Sequence, residues 1–216
     1  MPLITLYHGS QNKVIKPAFG YGEDKHDFGR GFYLTDDIDL AKEWAVCSSS
    51  HSNGWLHTYH LDLGGLKVFD FTNKSVLNWI AELMSHRNAS DSRRYQVLAK
   101  SFIDKYRLRN ISSYDVIRGW RANASYFFIA KEFVRDNVDI DILEDLLMLG
   151  DLGIQYCIKT ELAFSHLQED YDQLKEVDFV EYNAKYNNRD CTAREKMRAL
   201  VNSDKNKVAK VFSTLL

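Results

Sequence analysis

The stretch DFGRGFYLTDDIDLAKEWA, residues 27–45, gathers the side chains with the clearest chemical use. Arg30 sits between Gly29 and Gly31, where the backbone can approach a ligand closely while the guanidinium offers a planar fork to an oxyanion. Phe32 to Thr35 reads as a short strand ending at Asp36 and Asp37. A helix follows it: Asp37 can cap the first orphan N–H groups, Asp39 suits the positive end, and Ala41, Trp44 and Ala45 recur at i, i+3 and i+4. Tyr33 on the strand and Trp44 on the helix would then present two flat rings to one cleft, as stacking on a planar ligand requires. Taken alone, the same two rings are ordinary core residues. Lys13, Lys16 and Lys25 lie in a preceding loop and read as solvated surface charges. His57 and His60 fall on a strand at an odd spacing that points them to opposite faces, which argues against a shared metal ion.

The elements that must position these residues belong to a chain of 216 residues, 45% hydrophobic and 27% charged, the size of one domain or of a domain with an appendage. No run approaches the roughly 18 apolar residues of a membrane span, and the amino terminus lacks a basic segment followed by an apolar one, so the expected location is the cytoplasm. Cys47, Cys157 and Cys191 are odd in number and far apart, and suggest neither a disulfide framework nor a zinc site. A net charge of −2 removes the general attraction to phosphate expected of a dedicated nucleic-acid binder.

In chain order, a strand over Leu3 to Ser10 runs into a His-Gly turn, and residues 11 to 29 form a long loop over a cleft. Trp55 to Leu63 alternates as a half-buried strand, Gly64 and Gly65 turn the chain, and Leu66 to Phe71 is a further strand. Helices are expected at Lys74 to His86 and Asp91 to Leu108, the second basic at Arg93, Arg94, Arg107 and Arg109, an ordinary solvated face or else the best docking face for an acidic partner or nucleic acid. Tyr114 to Trp120 returns to β-pattern, Asn123 or Ser125 caps a helix to about Asp136, and Ile140 to Leu149 forms another. Ile154 to Lys159 is a strand, Thr160 caps a short helix from Glu161, and Glu176 to Tyr182 reads as a strand before two amphipathic helices that cover a sheet edge or bind a partner.

Three of these segments in order, LYHGS, GFYLT with an aromatic eleven positions after its Tyr, and LGIQYCIKT, resemble the signatures of the ADP-ribosyltransferase superfamily in its His-Tyr-Glu branch, that of diphtheria toxin and the poly(ADP-ribose) polymerases. The likeness is closer still to a family of small bacterial proteins sharing YHGS, DFG(K/R)GFYLT, (W/Y)RA(D/N)(D/A)SYF and LG-(any)-Q(Y/F)-(any)-(L/I)K(T/S) blocks. These are often encoded as toxins beside small antitoxins. The resemblance covers residues 3 to about 168 and places Gln155 where the branch carries its catalytic glutamate.

The resemblance implies a mixed α/β (α+β) fold, a split β-sandwich of two small, mostly antiparallel sheets around an NAD cleft. It implies a catalytic domain over residues 1–168 with helices inserted at about 74–109, and a C-terminal region, 169–216, packed on it or bound to a partner. By position, His8 would bind the adenosine-ribose hydroxyls and the Gly9 backbone the nicotinamide carboxamide, with Ser10 nearby. Tyr33 and Trp44 would sandwich the nicotinamide, and Arg30, Phe32, Asn123 and Tyr126 complete the expected set. NAD is implied as co-substrate, with no metal, a macromolecular acceptor, protein or nucleic acid, a small antitoxin as partner, and no membrane. A glutamine at position 155 keeps a hydrogen bond but forfeits a charge worth roughly 4 kcal/mol at 4 Å and an effective dielectric of 20. Asp27, Arg30, Arg121, Asn123 or Tyr126 could supply what it lacks. The expected activity is single ADP-ribosyl transfer, with a non-catalytic NAD-binding module or an NAD glycohydrolase as the alternatives.

Overall fold

The computed structural model describes residues 3–47, 50–87, 92–122, 124–140, 142, 143, 145 and 153–203. Among them the chain runs β1 (Leu3–Ser10), β2 (Phe32–Thr35), α1 (Ile38–Val46), β3 (Gly54–Asp62), β4 (Val68–Asp70), α2 (Val76–His86), α3 (Arg93–Tyr106), β5 (Val116–Trp120), α4 (Ala124–Val134), β6 (Ile154–Ile158), α5 (Glu161–Ser165), β7 (Leu167–Val177) and α6 (Phe179–Ser203). The fold is mixed α/β. Its caps are those the side chains dictate: Asp37 accepts from the N–H groups of Asp39 (2.8 Å) and Leu40 (3.1 Å) to open α1, Ser75 and Ser92 open α2 and α3, and Thr160 opens α5.

The strands form one seven-stranded sheet in the order β4-β5-β6-β2-β1-β3-β7, antiparallel except for the β4–β5 pair. The two small sheets implied by the resemblance are therefore joined, and the join is slight. β1 meets β2 through the single pairing Tyr7↔Thr35, whereas β1 and β3 pair along their whole length from Leu3↔Asp62 to Ser10↔Trp55.

Period-two alternation sorts the central strands onto two faces. Ile117 and Cys157 face a large core closed by α2, α3 and α4, with Phe28, Phe71, Trp79, Phe102 and Phe133 at its centre. Val116, Tyr156, Ile158 and Leu34 face the other way, with Leu6, Tyr59 and Ala163. A third, smaller core holds α1 and α6 against β3 through Ala41, Ala45, Leu56, Val177 and Tyr182. Gly9 is required for this close approach, because a Cβ there would run into the backbone of Ala41 and Ala45.

Five expectations need correction. Leu3–Ser10 remains strand to its last residue, with no His-Gly turn, because Gly9 and Ser10 keep pairing with Leu56 and Trp55. β3 is buried on both faces through its middle: Leu56, His57, Thr58 and Tyr59 are each at 1% exposure. His57 is satisfied there, its nitrogens facing Glu169 Oε1 (2.8 Å) and Asn12 O (3.0 Å), while His60 turns instead to Thr5 and Asp170. The strand expected at Glu176–Tyr182 starts nine residues earlier, at Leu167, and has given way to helix by Phe179. Asp178 forces the change, its carboxylate accepting from Glu181 N (2.8 Å) as an N-cap. The first of the two C-terminal helices is one helix of 25 residues, and the second, like most of the helix expected at 140–149, lies outside the described residues. The basic face of α3 is also weaker than its sequence suggested, since Arg107 bonds to the buried Glu82 (2.8 Å).

Candidate functional site

Where β1 and β2 part beyond their one pairing, the His8 side chain fills the gap. Its Nδ1 lies 2.7 Å from the carbonyl oxygen of Tyr33, which can only accept, so Nδ1 carries the proton and Nε2 is left with its lone pair. Burial holds the imidazole pKa down to about 4 against the pull of the Tyr33 carbonyl, with His57 adding to the depression, so the ring is neutral at pH 7. Phe32 packs beside it, tilted at 36° with 4.6 Å between centroids.

The gap opens into a cavity of about 410 Å³ lined by His8, Phe32, Tyr33, Trp44, Gln155 and Arg121, with His26 and Asp27 from the preceding loop and Tyr186 from α6. Its volume lies within the range of small-molecule sites. Residues from β1, β2, α1 and β6 thus converge on one space, as does the loop over residues 11–29.

Tyr33 projects from β2 toward the face that carries Cys157, and its hydroxyl is fully used. It donates to Gly29 O (2.6 Å) and accepts from Phe28 N (2.9 Å), which ties the loop to the strand. Burial foremost, then Cys157 and Asp27, push its pKa well above the usual phenol value. The phenol therefore holds its proton and offers the cavity a ring, not an acid. Cys157 beneath it is buried, with its thiol pushed up to about 12, and is inert.

Gln155 is 3% exposed. Its Nε2 donates to Asp27 Oδ2 (2.7 Å) and to Trp120 O (3.1 Å). Both partners can only accept, which fixes the amide so that the nitrogen points inward and Oε1 carries no hydrogen bond from any described residue. Asp27, also 3% exposed, takes a second bond at Oδ2 from Ala122 N (2.8 Å). Its Oδ1 lies 2.5 Å from Arg87 Nη2, a contact of charges without the alignment of a hydrogen bond, while that guanidinium donates to Ala122 O (2.8 Å). Asp27 is the member of this site that spacing alone could not single out. The sequence offered it as one of five residues that could supply what Gln155 lacks, and the bond from Gln155 Nε2 is what distinguishes it.

Trp44 reaches the cavity from α1, and one face of its indole is covered by the Arg121 guanidinium, 4.6 Å from the ring centroid. A ligand can use only the other face.

The remaining expected residues are scattered. Gly9 lies on β1 against α1 and lines no part of the cavity; Ser10 Oγ accepts from Asn12 N (3.1 Å). Arg30 turns outward to Asp24 (3.0 Å), half exposed. Asn123 and the side chain of Tyr126 lie outside the described residues. Among the described residues, no group of three His, Cys, Asp or Glu is arranged to hold a metal ion, and no helix is long and apolar enough to cross a membrane.

The fold and the cavity define an α+β protein whose sheet is nearly divided, with an aromatic cleft at the division. The model of the family described as "Protein of unknown function (DUF3990)" matches residues 4–168, and the chain belongs to that family. No curated protein matches it.

Proposed function

We propose that this chain is a mono-ADP-ribosyltransferase, which passes ADP-ribose from NAD to a macromolecular acceptor and releases nicotinamide, and that it serves in the bacterial cytoplasm as the toxin of a toxin–antitoxin pair. The observation that carries this reading is the meeting of His8, Tyr33, Trp44 and Gln155, far apart in the chain, around one cavity. The toxin role rests on the resemblance of the sequence blocks alone.

Heterolysis of the bond between ribose and nicotinamide leaves positive charge on the ribose as the electron pair departs with the nicotinamide nitrogen, much as in glycoside hydrolysis. Tyr33 supplies a flat, uncharged surface for the leaving ring. His8 Nε2 accepts from a ribose hydroxyl, and Gln155 Oε1, aimed by its two donated bonds, accepts from another. Asp27, held directly behind the amide, supplies the negative charge that a glutamine lacks. No side chain at the third position can take a proton, so single transfer to an acceptor that is already nucleophilic is favoured over chain building.

The test is incubation of the purified chain with labelled NAD and a cell lysate. The expected result is a labelled macromolecule whose formation falls at least a hundredfold in Tyr33→Ala and Gln155→Ala. Expression should arrest growth, and both substitutions should relieve the arrest. Intact NAD with no labelled product would overturn the reading. A second reading, an NAD-binding module without catalysis, draws on Arg87, which offsets part of the Asp27 charge. It requires that NAD bind and that Tyr33→Ala leave any growth arrest unchanged. A glycohydrolase would instead release nicotinamide in buffer alone.

A further inference from the structure

The cleft holds more positive charge than its carboxylates can offset. Asp27 is matched by Arg87 (2.5 Å), and Glu43, buried at 1% exposure, is matched by Arg189 of α6 (3.0 Å). The Glu43–Arg189 pair lies outside the cavity lining, whereas Arg121 follows β5 directly and lines the cavity with Asp27 and Arg87, yet its guanidinium has no carboxylate within ion-pair distance among the described residues. Its backbone N–H bonds to Gly153 O (3.3 Å), and its charged end rests on the Trp44 ring. His8, neutral at pH 7, adds no charge, so along the cavity wall two guanidiniums, Arg87 and Arg121, face one carboxylate, Asp27.

A partly desolvated guanidinium without a counter-charge is unfavourable until an anion arrives. Burial pushes the Arg121 pKa below its usual value, against the pull of Cys47, Asp27, Tyr186 and Glu43, and a guanidinium keeps its proton in proteins. Trp44 Nε1 is a second buried donor with no partner. An unpaired cationic fork beside an unpaired N–H suits an oxyanion with several acceptor atoms. It does not suit a cationic ring, which the guanidinium would repel. Tyr186 lines the cavity too, so helix α6, which lies beyond the family match at 4–168, completes this wall.

We propose that Arg121 and Trp44, walled by Tyr186, form a subsite for the diphosphate of a nucleotide. The inference deepens the transferase reading and rests on it for the identity of the nucleotide, whereas the subsite itself follows from the unmatched charge.

The full chain is titrated with ADP, inorganic pyrophosphate and adenosine, by calorimetry and tryptophan fluorescence. Pyrophosphate binds, and ADP binds at least tenfold more tightly than adenosine. That preference shrinks as salt is raised from 50 to 500 mM, a readout that needs no variant. Arg121→Gln abolishes the preference, and Arg121→Lys, with the charge but not the fork, keeps part of it. Equal affinity for ADP and adenosine, or a preference insensitive to salt, overturns the proposal. So does displacement of pyrophosphate by an oligonucleotide but not by ADP, which would assign the anion to an acceptor. Pyrophosphate binding by a chain that leaves NAD intact sinks the transferase reading and spares the subsite. NAD turnover with an unaltered KM in folded Arg121→Gln does the reverse.

Discussion

Gln155 occupies a position where a charged residue would be unwelcome. Two carboxylates at the 2.7 Å now separating Gln155 Nε2 from Asp27 Oδ2 could not both ionise. Gln155→Glu should therefore fail to raise any transferase activity and should lose about 4 kcal/mol of stability at pH 7.5, on the scale of a 4 Å charge pair at an effective dielectric of 20. The raised pKa of the new acid sets the sign: the folded state binds the extra proton, so the loss shrinks as pH falls toward 5. Urea unfolding at the two pH values measures it. His8 has the opposite dependence. Its folded pKa of about 4 lies below the unfolded value near 6.5, so the native state resists protonation. Stability should be unaffected by this residue above pH 6.5, fall by about 3 kcal/mol between there and pH 4, and change no further below. His8→Asn should remove that slope.

At the scale of the element, legibility followed the source of each signal. Helix α1 was readable to its cap because Asp37 and the apolar spacing are local, and Asp37→Ala should cost about 1 kcal/mol in thermal unfolding. Strand β7 was not readable, because LQEDYDQLKEV has no apolar alternation to show. It is a sheet-edge strand with charged side chains, held through pairing with β3 that no local pattern records. The burial of Thr58 and His57 was hidden for a similar reason, since Glu169, which satisfies His57, is 112 residues away. The choice of Asp27 from the five candidates was equally out of reach, depending on its contact with Gln155 at a separation of 128. Docking of α6 hinges on Arg189 and the buried Glu43. Arg189→Ala should strand that carboxylate, cost about 3 kcal/mol and expose α6 to limited proteolysis.

For the molecule as a whole, the one pairing between β1 and β2 divides the sheet into four strands and three. Any molecule lodged in the cavity touches side chains rooted on both sides of that line. Occupancy should then tether the two wings to each other: saturating NAD or ADP should slow amide hydrogen exchange in β1 and β6 together, by the same factor, while leaving α3 untouched. A bound nucleotide would in that sense act as the missing rungs of the ladder, and the empty protein would be the form most prone to hinge at Tyr7 and Thr35.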